Sequence, residues 1–367
     1  MLLLDAGQAS GGLLRALLPV AIARGLPFQF DGFRLHASPP GLGWSQVALL
    51  DALASHGLVT ASHNGLGSAT LTVLPHPGPW PAEIELDLDA PHHAIELHDL
   101  DVVRDYAGVE DRFTQNVNNV NGRGVRGHPV ASGLLALLPL LTLPDGPQRI
   151  TVRGGTEVPG SPFIDAIRYC LLPAIAQEFA QNLDVEVHAR GSIGIGGGMV
   201  TATRGSTPPT IAARQVLRID YRGGTAEADP DWLERAGKAL EPALNDRGFT
   251  STCREEAFDY PTPRRSQLYI IGGEFARDVS ICHEEAASVR AAGQVKDRVL
   301  NEVRQHGKYS RFIVEQLIVA ALCQDRAARW ETDTVTKHIQ QLLDLATATG
   351  RTPLARPTDS GAIVGIA

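Results

Sequence analysis

An apolar helix, a Gly/Pro break and a short strand follow one another three times in this chain, and that order limits what it can fold into. Gly12-Leu-Leu-Arg-Ala-Leu-Leu-Pro19 leads through Gly25-Leu-Pro to the strand-like Phe28-Gln-Phe30. Gly133-Leu-Leu-Ala-Leu-Leu-Pro139 leads through Asp145-Gly-Pro to Arg149-Ile-Thr-Val152. Tyr169-Cys-Leu-Leu-Pro-Ala-Ile175 leads on to Val185-Glu-Val-His188, and the same texture returns over residues 310–323. Glycine and proline punctuate each passage from helical to extended periodicity. Stacked copies of such a unit bury a shared core that no single copy could make.

Between residues 205 and 305 the texture changes. Val216-Leu-Arg-Ile-Asp-Tyr221 and Gln267-Leu-Tyr-Ile-Ile271 read as strands. Residues 229–245 read as an amphipathic helix opened by Asp229-Pro-Asp231, and residues 284–305 as a charged helix. The expectation is an α/β (α+β) protein whose main domain, residues 1–204 plus 306–367, is interrupted by a smaller α/β domain at 205–305.

Composition narrows the function classes. A formal charge of −8 argues against a broad electrostatic grip on a phosphate backbone. Aromatic residues at 5% leave few stacking platforms for bases. A local basic pocket remains compatible with both. The four cysteines form no CxxC pair, which reads as a reduced, cytoplasmic chain without a zinc knuckle or disulfide framework. Residues 1–5 lack a signal peptide's basic start, and the most apolar stretch, residues 130–144, is shorter than the roughly 20 residues of a membrane span. No membrane partner is expected.

Few motifs carry chemistry on their own. Gly191-Ser-Ile-Gly-Ile-Gly-Gly-Gly198 could bring backbone N–H groups to a phosphate, yet Met199-Val-Thr-Ala-Thr203 continues it as a strand, which suits a tight turn better than a dinucleotide loop. No GxxxxGK[ST] or GxSxG occurs. Gly154-Gly-Thr-Glu-Val-Pro-Gly-Ser-Pro162 is a stiff strand-to-helix loop, equally readable as functional or as a helix entry capped by Ser161 or Thr156. His92, His93 and His98 beside Asp99 lie in a polar stretch that favours a solvated loop over a metal site. His338 sits on a helix whose apolar face carries Val335, Ile339 and Leu342, and by itself reads as a packed or edge histidine.

Taken in order, these segments resemble the RNA 3′-terminal phosphate cyclases. Residues 145–162 are similar to that family's D-G-P, strand, G-G-T-x-x-P-x-x-P segment, and residues 189–198 to its R-x-G-x-x-P-x-G-G-G, with Ile195 in place of the proline. Gly11-Gly-Leu-Leu-Arg15 resembles the end of G-E-G-G-G-x-x-L-R, while Arg34, Pro40-Gly-Leu42 and Gln46 follow R-A-G-R-x-x-P-G-L-x-x-Q. Phe312-Ile-Val-Glu-Gln316 resembles Y-x-x-D-Q, and Thr336 and His338 follow at the spacing of S/T-x-H. The resemblance covers roughly residues 1–205 and 305–345. It implies a main domain of cyclase or EPSP-synthase-like repeats. It further implies ATP with Mg²⁺ or Mn²⁺, RNA 3′ ends as partners, and conversion of a 3′-phosphate to a 2′,3′-cyclic phosphate through a nucleotidyl-histidine. His338 would be the nucleophile; Arg15, Arg34, Gln46, Phe312, Glu315 and Gln316 would contact the nucleotide; no metal ligand is assigned.

The departures fall on the same motifs. Gln8-Ala-Ser-Gly-Gly12 carries no counterpart of the family's metal-binding glutamate. Ala37 and Pro39 replace basic residues, Leu135 a glutamine, Phe312 a tyrosine and Glu315 an aspartate, and Gln341-Leu342 stands for T-N. A catalytically inactive relative, acting as an RNA-processing partner or scaffold, is therefore the alternative expectation, with a repeat-built enzyme of a small phosphorylated metabolite as a third.

Overall fold

The computed structural model describes the chain outside residues 6–10, 33–41, 65–67, 77, 90–127, 159–160, 192–195, 206, 224–230, 259–263, 275, 283–288, 305–307 and 360. Arg34, His92, His93 and His98 lie outside the described residues.

The first unit comprises β1 (Leu2–Asp5), α1 (Gly11–Arg24), β2 (Phe28–Asp31), α2 (Trp44–Ser55), β3 (Val59–Ser62) and β4 (Leu71–Pro75). Its sheet runs β1-β2-β4-β3. The second unit comprises β5 (Glu83–Asp87), α3 (Val130–Leu137), β6 (Arg149–Gly154), α4 (Leu172–Phe179), β7 (Leu183–Ala189) and β8 (Gly198–Arg204), with the sheet order β5-β6-β8-β7. In both, the first two strands are parallel and the other neighbours antiparallel. A parallel pair needs a crossover, and the apolar helix supplies it.

The third segment comprises β9 (Gln215–Gly223), α5 (Asp231–Asn245), β10 (Thr250–Phe258), β11 (Arg264–Ile271), β12 (Arg277–Cys282) and α6 (Val289–Arg304), with the sheet order β10-β9-β11-β12. After it come α7 (Arg311–Cys323), β13 (Ala328–Thr332), α8 (Lys337–Ala348), β14 (Pro353–Thr358) and β15 (Gly361–Ile366), paired β13-β15-β14. That last order repeats the second, fourth and third strands of the first two units, without a first strand among the described residues. The chain is thus a mixed α/β protein built from repeats, as expected. The helix–strand pair at residues 169–188 belongs to the second half of unit two and is no separate copy. The true repeat is a four-stranded unit with two helices.

Burial explains the texture of the helices. α1 packs against both α3 and α7, and Leu14, Leu17, Leu18, Leu134, Leu137, Leu317 and Ile318 are all fully buried. A helix enclosed by neighbours on most sides is apolar nearly all round. Along β9 and β11 the alternation instead splits between two cores. Ile219, Tyr221, Leu268 and Ile270 join the main core, whereas Val216, Tyr269 and Ile271 form a smaller one with Leu240, Leu244, Val295 and Val299 of α5 and α6. Successive strand side chains point to opposite faces, so one strand can serve both. Among the described residues no helix is long and apolar enough to cross a membrane, and Cys170, Cys253 and Cys323 carry free thiols.

Candidate active site

Helix α1 of unit one and helices α7 and α8 of the last unit begin around a common cavity. Gly12, Arg15 and Ala16 near the start of α1, Phe312, Glu315 and Gln316 at the start of α7, and His338 at the start of α8 line it with Leu135 of α3 and Pro162. Its volume is about 280 Å³. Helix N-termini leave N–H groups unsatisfied and concentrate the positive end of the helix dipole. Their convergence beside Arg15 makes this an anion-favouring space in a chain of net negative charge.

His338 is fixed by a short relay. Thr336 is the N-cap of α8, and its hydroxyl accepts a hydrogen bond from the Ile339 N–H at 3.0 Å. The same hydroxyl donates to Glu315 Oε1 at 3.1 Å. Glu315 Oε2 lies 3.0 Å from His338 Nδ1. A carboxylate only accepts, so the neutral ring is held with its proton on Nδ1 and its lone pair on Nε2. Nε2 is buried and has no hydrogen-bond partner among the described residues. A nitrogen with a directed, unshared lone pair, on a residue that lines an anion-favouring cavity, can attack an electrophilic phosphorus once the two are brought together. The apolar face behind it, with Ile339, Leu342 and Leu343 fully buried, keeps α8 in place.

Arg15 reaches α3, where Nη1 donates to Ser132 Oγ at 3.1 Å. Burial lowers the pKa of its guanidinium and the Glu315 carboxylate opposes that fall. An arginine remains cationic under both influences. Phe312 and Pro162 give the cavity two flat apolar surfaces suited to the plane of a base.

The structure therefore brings Arg15, Phe312, Glu315, Gln316 and His338 to one place. Gln46 is not among the residues lining it: on α2 its Oε1 accepts the Gly43 N–H at 2.6 Å, an N-terminal cap. Arg34 and residues 8–10 lie outside the described residues. Among the described residues, no group of three His, Cys, Asp or Glu side chains could hold a metal ion. Glu315 is the one described carboxylate lining the cavity, and both its oxygens are engaged. Of the glycine run, the described residues 191 and 196–198 are not among the lining residues.

Sequence reasoning missed a second polar cluster next to that glycine run. Arg190 Nη1 donates to Glu157 Oε1 at 2.6 Å and its Nη2 meets Asp165 Oδ2 at 2.7 Å. Tyr221 of β9 donates to the same Asp165 oxygen at 2.8 Å, and Arg168 to the other at 2.9 Å. The Arg190 guanidinium also stands 5.1 Å from the Tyr221 ring centre. Burial pushes the Glu157 carboxyl up to about 7 against the pull of Arg190. Asp165 feels the same burial, but Arg190, Arg168 and the Tyr221 hydroxyl together hold it below the usual carboxylate value. Glu157 is thus committed to Arg190 and Thr156 and does not stand in for the missing acid of the first loop. Arg190 lies 33 residues from Glu157 and Tyr221 lies 56 from Asp165, too far apart to form a spacing motif.

Comparison with known proteins adds two findings. A profile of the family described as RNA 3′-terminal phosphate cyclase matches residues 6–351. An RNA 3′-terminal phosphate cyclase of Hyperthermus butylicus is 24% identical over 249 residues. That similarity takes in 66% of this chain and 58% of the relative's own length.

Proposed function

The chain belongs to the RNA 3′-terminal phosphate cyclase family, and from that premise we propose that it is an ATP-dependent enzyme closing RNA 3′-phosphates to 2′,3′-cyclic phosphates. The observation that carries this reading is the relay from Thr336 through Glu315 to His338, which leaves Nε2 of a cavity-lining histidine as a lone-pair nitrogen without a partner among the described residues.

In the proposed sequence His338 Nε2 attacks the α-phosphorus of the nucleotide, forming a P–N bond as pyrophosphate departs. The proton stays on Nδ1, and Glu315 balances the positive charge that develops on the ring. An oxygen of the RNA 3′-phosphate then takes the adenylyl group from His338, which regains its lone pair. The neighbouring 2′-hydroxyl finally attacks the activated 3′-phosphorus, its P–O bond to adenylate breaks, adenylate leaves, and the hydroxyl proton is released to solvent. Arg15 and the N-terminal ends of α1, α7 and α8 supply the positive potential that these anionic steps require. Phe312 and Pro162 provide the base-facing surfaces, and Gln316 a polar group beside them.

The described lining does not suit a divalent cation, because Glu315 already serves Thr336 and His338. No step is routed through a metal. The reaction is tested with an RNA bearing a 3′-phosphate, ATP, and the wild-type or His338→Ala protein. Cyclic phosphate from the wild type alone is the expected result. No conversion by folded wild type would leave the non-catalytic RNA-processing or scaffold reading in its place.

A further inference from the structure

Resting on the role given to His338 above, we propose that Arg277, on a different sheet, is a positioning residue that holds the loop from which His338 springs. Arg277 opens β12, and its side chain is 7% exposed. Its Nη2 donates to Asp333 Oδ1 at 3.1 Å and its Nη1 to Asp333 Oδ2, a two-pronged contact that fixes direction as well as distance. Nη1 also stands 3.6 Å from Glu302 Oε2 on α6.

Asp333 is the first residue after β13, three before the cap Thr336 and five before His338. On its other side the connection is confined by backbone. A Cβ at Gly361 would stand 2.2 Å from the Thr332 carbonyl oxygen and 3.2 Å from Asp333 Cα, so β15 leaves no room for the loop to retreat. The route from Arg277 to the nucleophile is thus Asp333, the two-residue link Thr334-Val335, Thr336 and Glu315. Without the cation, Asp333 and Glu302 face each other as like charges. Burial already raises the Glu302 carboxyl, with Arg277 opposing and Asp333 adding to the rise. Pinned by β15 behind it, the repelled loop would turn rather than retreat, shifting Thr336 relative to Glu315.

The test reads His338 directly. Imidazole nitrogen shifts are recorded above the titration of the ring for wild type, Arg277→Gln, Arg277→Lys and Asp333→Asn, with His338→Gln identifying the signal. Wild type is expected to show the Nδ1–H tautomer, the Gln and Asn variants a mixture with Nε2–H, and the Lys variant an intermediate state. Nucleotidylation in the Gln and Asn variants should slow about tenfold at unchanged nucleotide affinity, as expected for a displaced reacting group. Should Arg277→Gln fail to fold, Asp333→Asn, at a more exposed position, decides. Retention of the wild-type tautomer in the folded variants overturns the proposal. If wild type takes no nucleotide, the functional reading falls while the tautomer comparison still decides the role of Arg277.

Discussion

At the scale of single residues, the proposed chemistry depends on the Glu315–His338 contact, and the response to pH on the burial of Glu157. Glu315→Ala frees the imidazole to place its proton on either nitrogen. Nucleotidylation should fall roughly 10²–10⁴-fold, the range seen when the orienting carboxylate of a histidine is lost, with little change in folding. Single-turnover rates against thermal stability would check this. Glu157 has a folded value of about 7 against an ordinary 4.5, because burial outweighs Arg190. A carboxyl raised in this way is protonated in the folded chain while the unfolded chain has already released the proton. Its contribution is full below about 4.5 and is lost as pH rises through about 7, on the order of 3 kcal/mol. Glu157→Gln should flatten the stability profile between those values, while parallel profiles for the two proteins would contradict the assignment. Asp165, lowered by Arg190, Arg168 and Tyr221, acts with the opposite sign and only as pH falls through the acid range.

At the scale of elements, two local features carry the site. Thr336 is both the cap of α8 and the support of Glu315, so Thr336→Ala should cost about 1 kcal/mol of stability and slow nucleotidylation in the same variant. Thr336→Ser, which keeps the hydroxyl, should restore both, as melting and rate measurements would show. The glycine run has a packing role at its described ends. A Cβ at Gly191 would lie 2.2 Å from the Gly198 nitrogen and 2.5 Å from the Gly154 carbonyl oxygen. Gly191→Ala should therefore destabilise by about 1–3 kcal/mol or more, with Arg190 displaced from Glu157. Helix-then-strand pairs were legible because apolar helices and Gly/Pro breaks are local signals. The four-strand period was not, because the order β1-β2-β4-β3 depends on partners far apart in the chain. The Thr336–His338 spacing after Glu315-Gln316 was enough to find the nucleophile candidate. The Arg190 cluster and the Arg277 clamp assemble residues from distant strands, and no short motif records them.

At the scale of the whole molecule, a protein of net charge −8 brings helix N-termini and Arg15 together at one cavity. RNA binding should accordingly depend on the terminal phosphate and only weakly on the rest of the strand. The logarithm of affinity should fall with the logarithm of salt concentration with a slope no steeper than about −2, corresponding to one to three phosphate contacts on a single strand. A steep slope would require a basic surface elsewhere on the protein. The central claim is that His338 carries the nucleotide covalently, and intact-mass measurement after incubation with ATP and Mg²⁺ or Mn²⁺ tests it most directly. The account predicts one added adenylate on the wild type, lost in acid, mapped to the peptide containing His338 and absent from His338→Ala. An unmodified wild type under the same conditions, or an adduct that survives in His338→Ala, would contradict it.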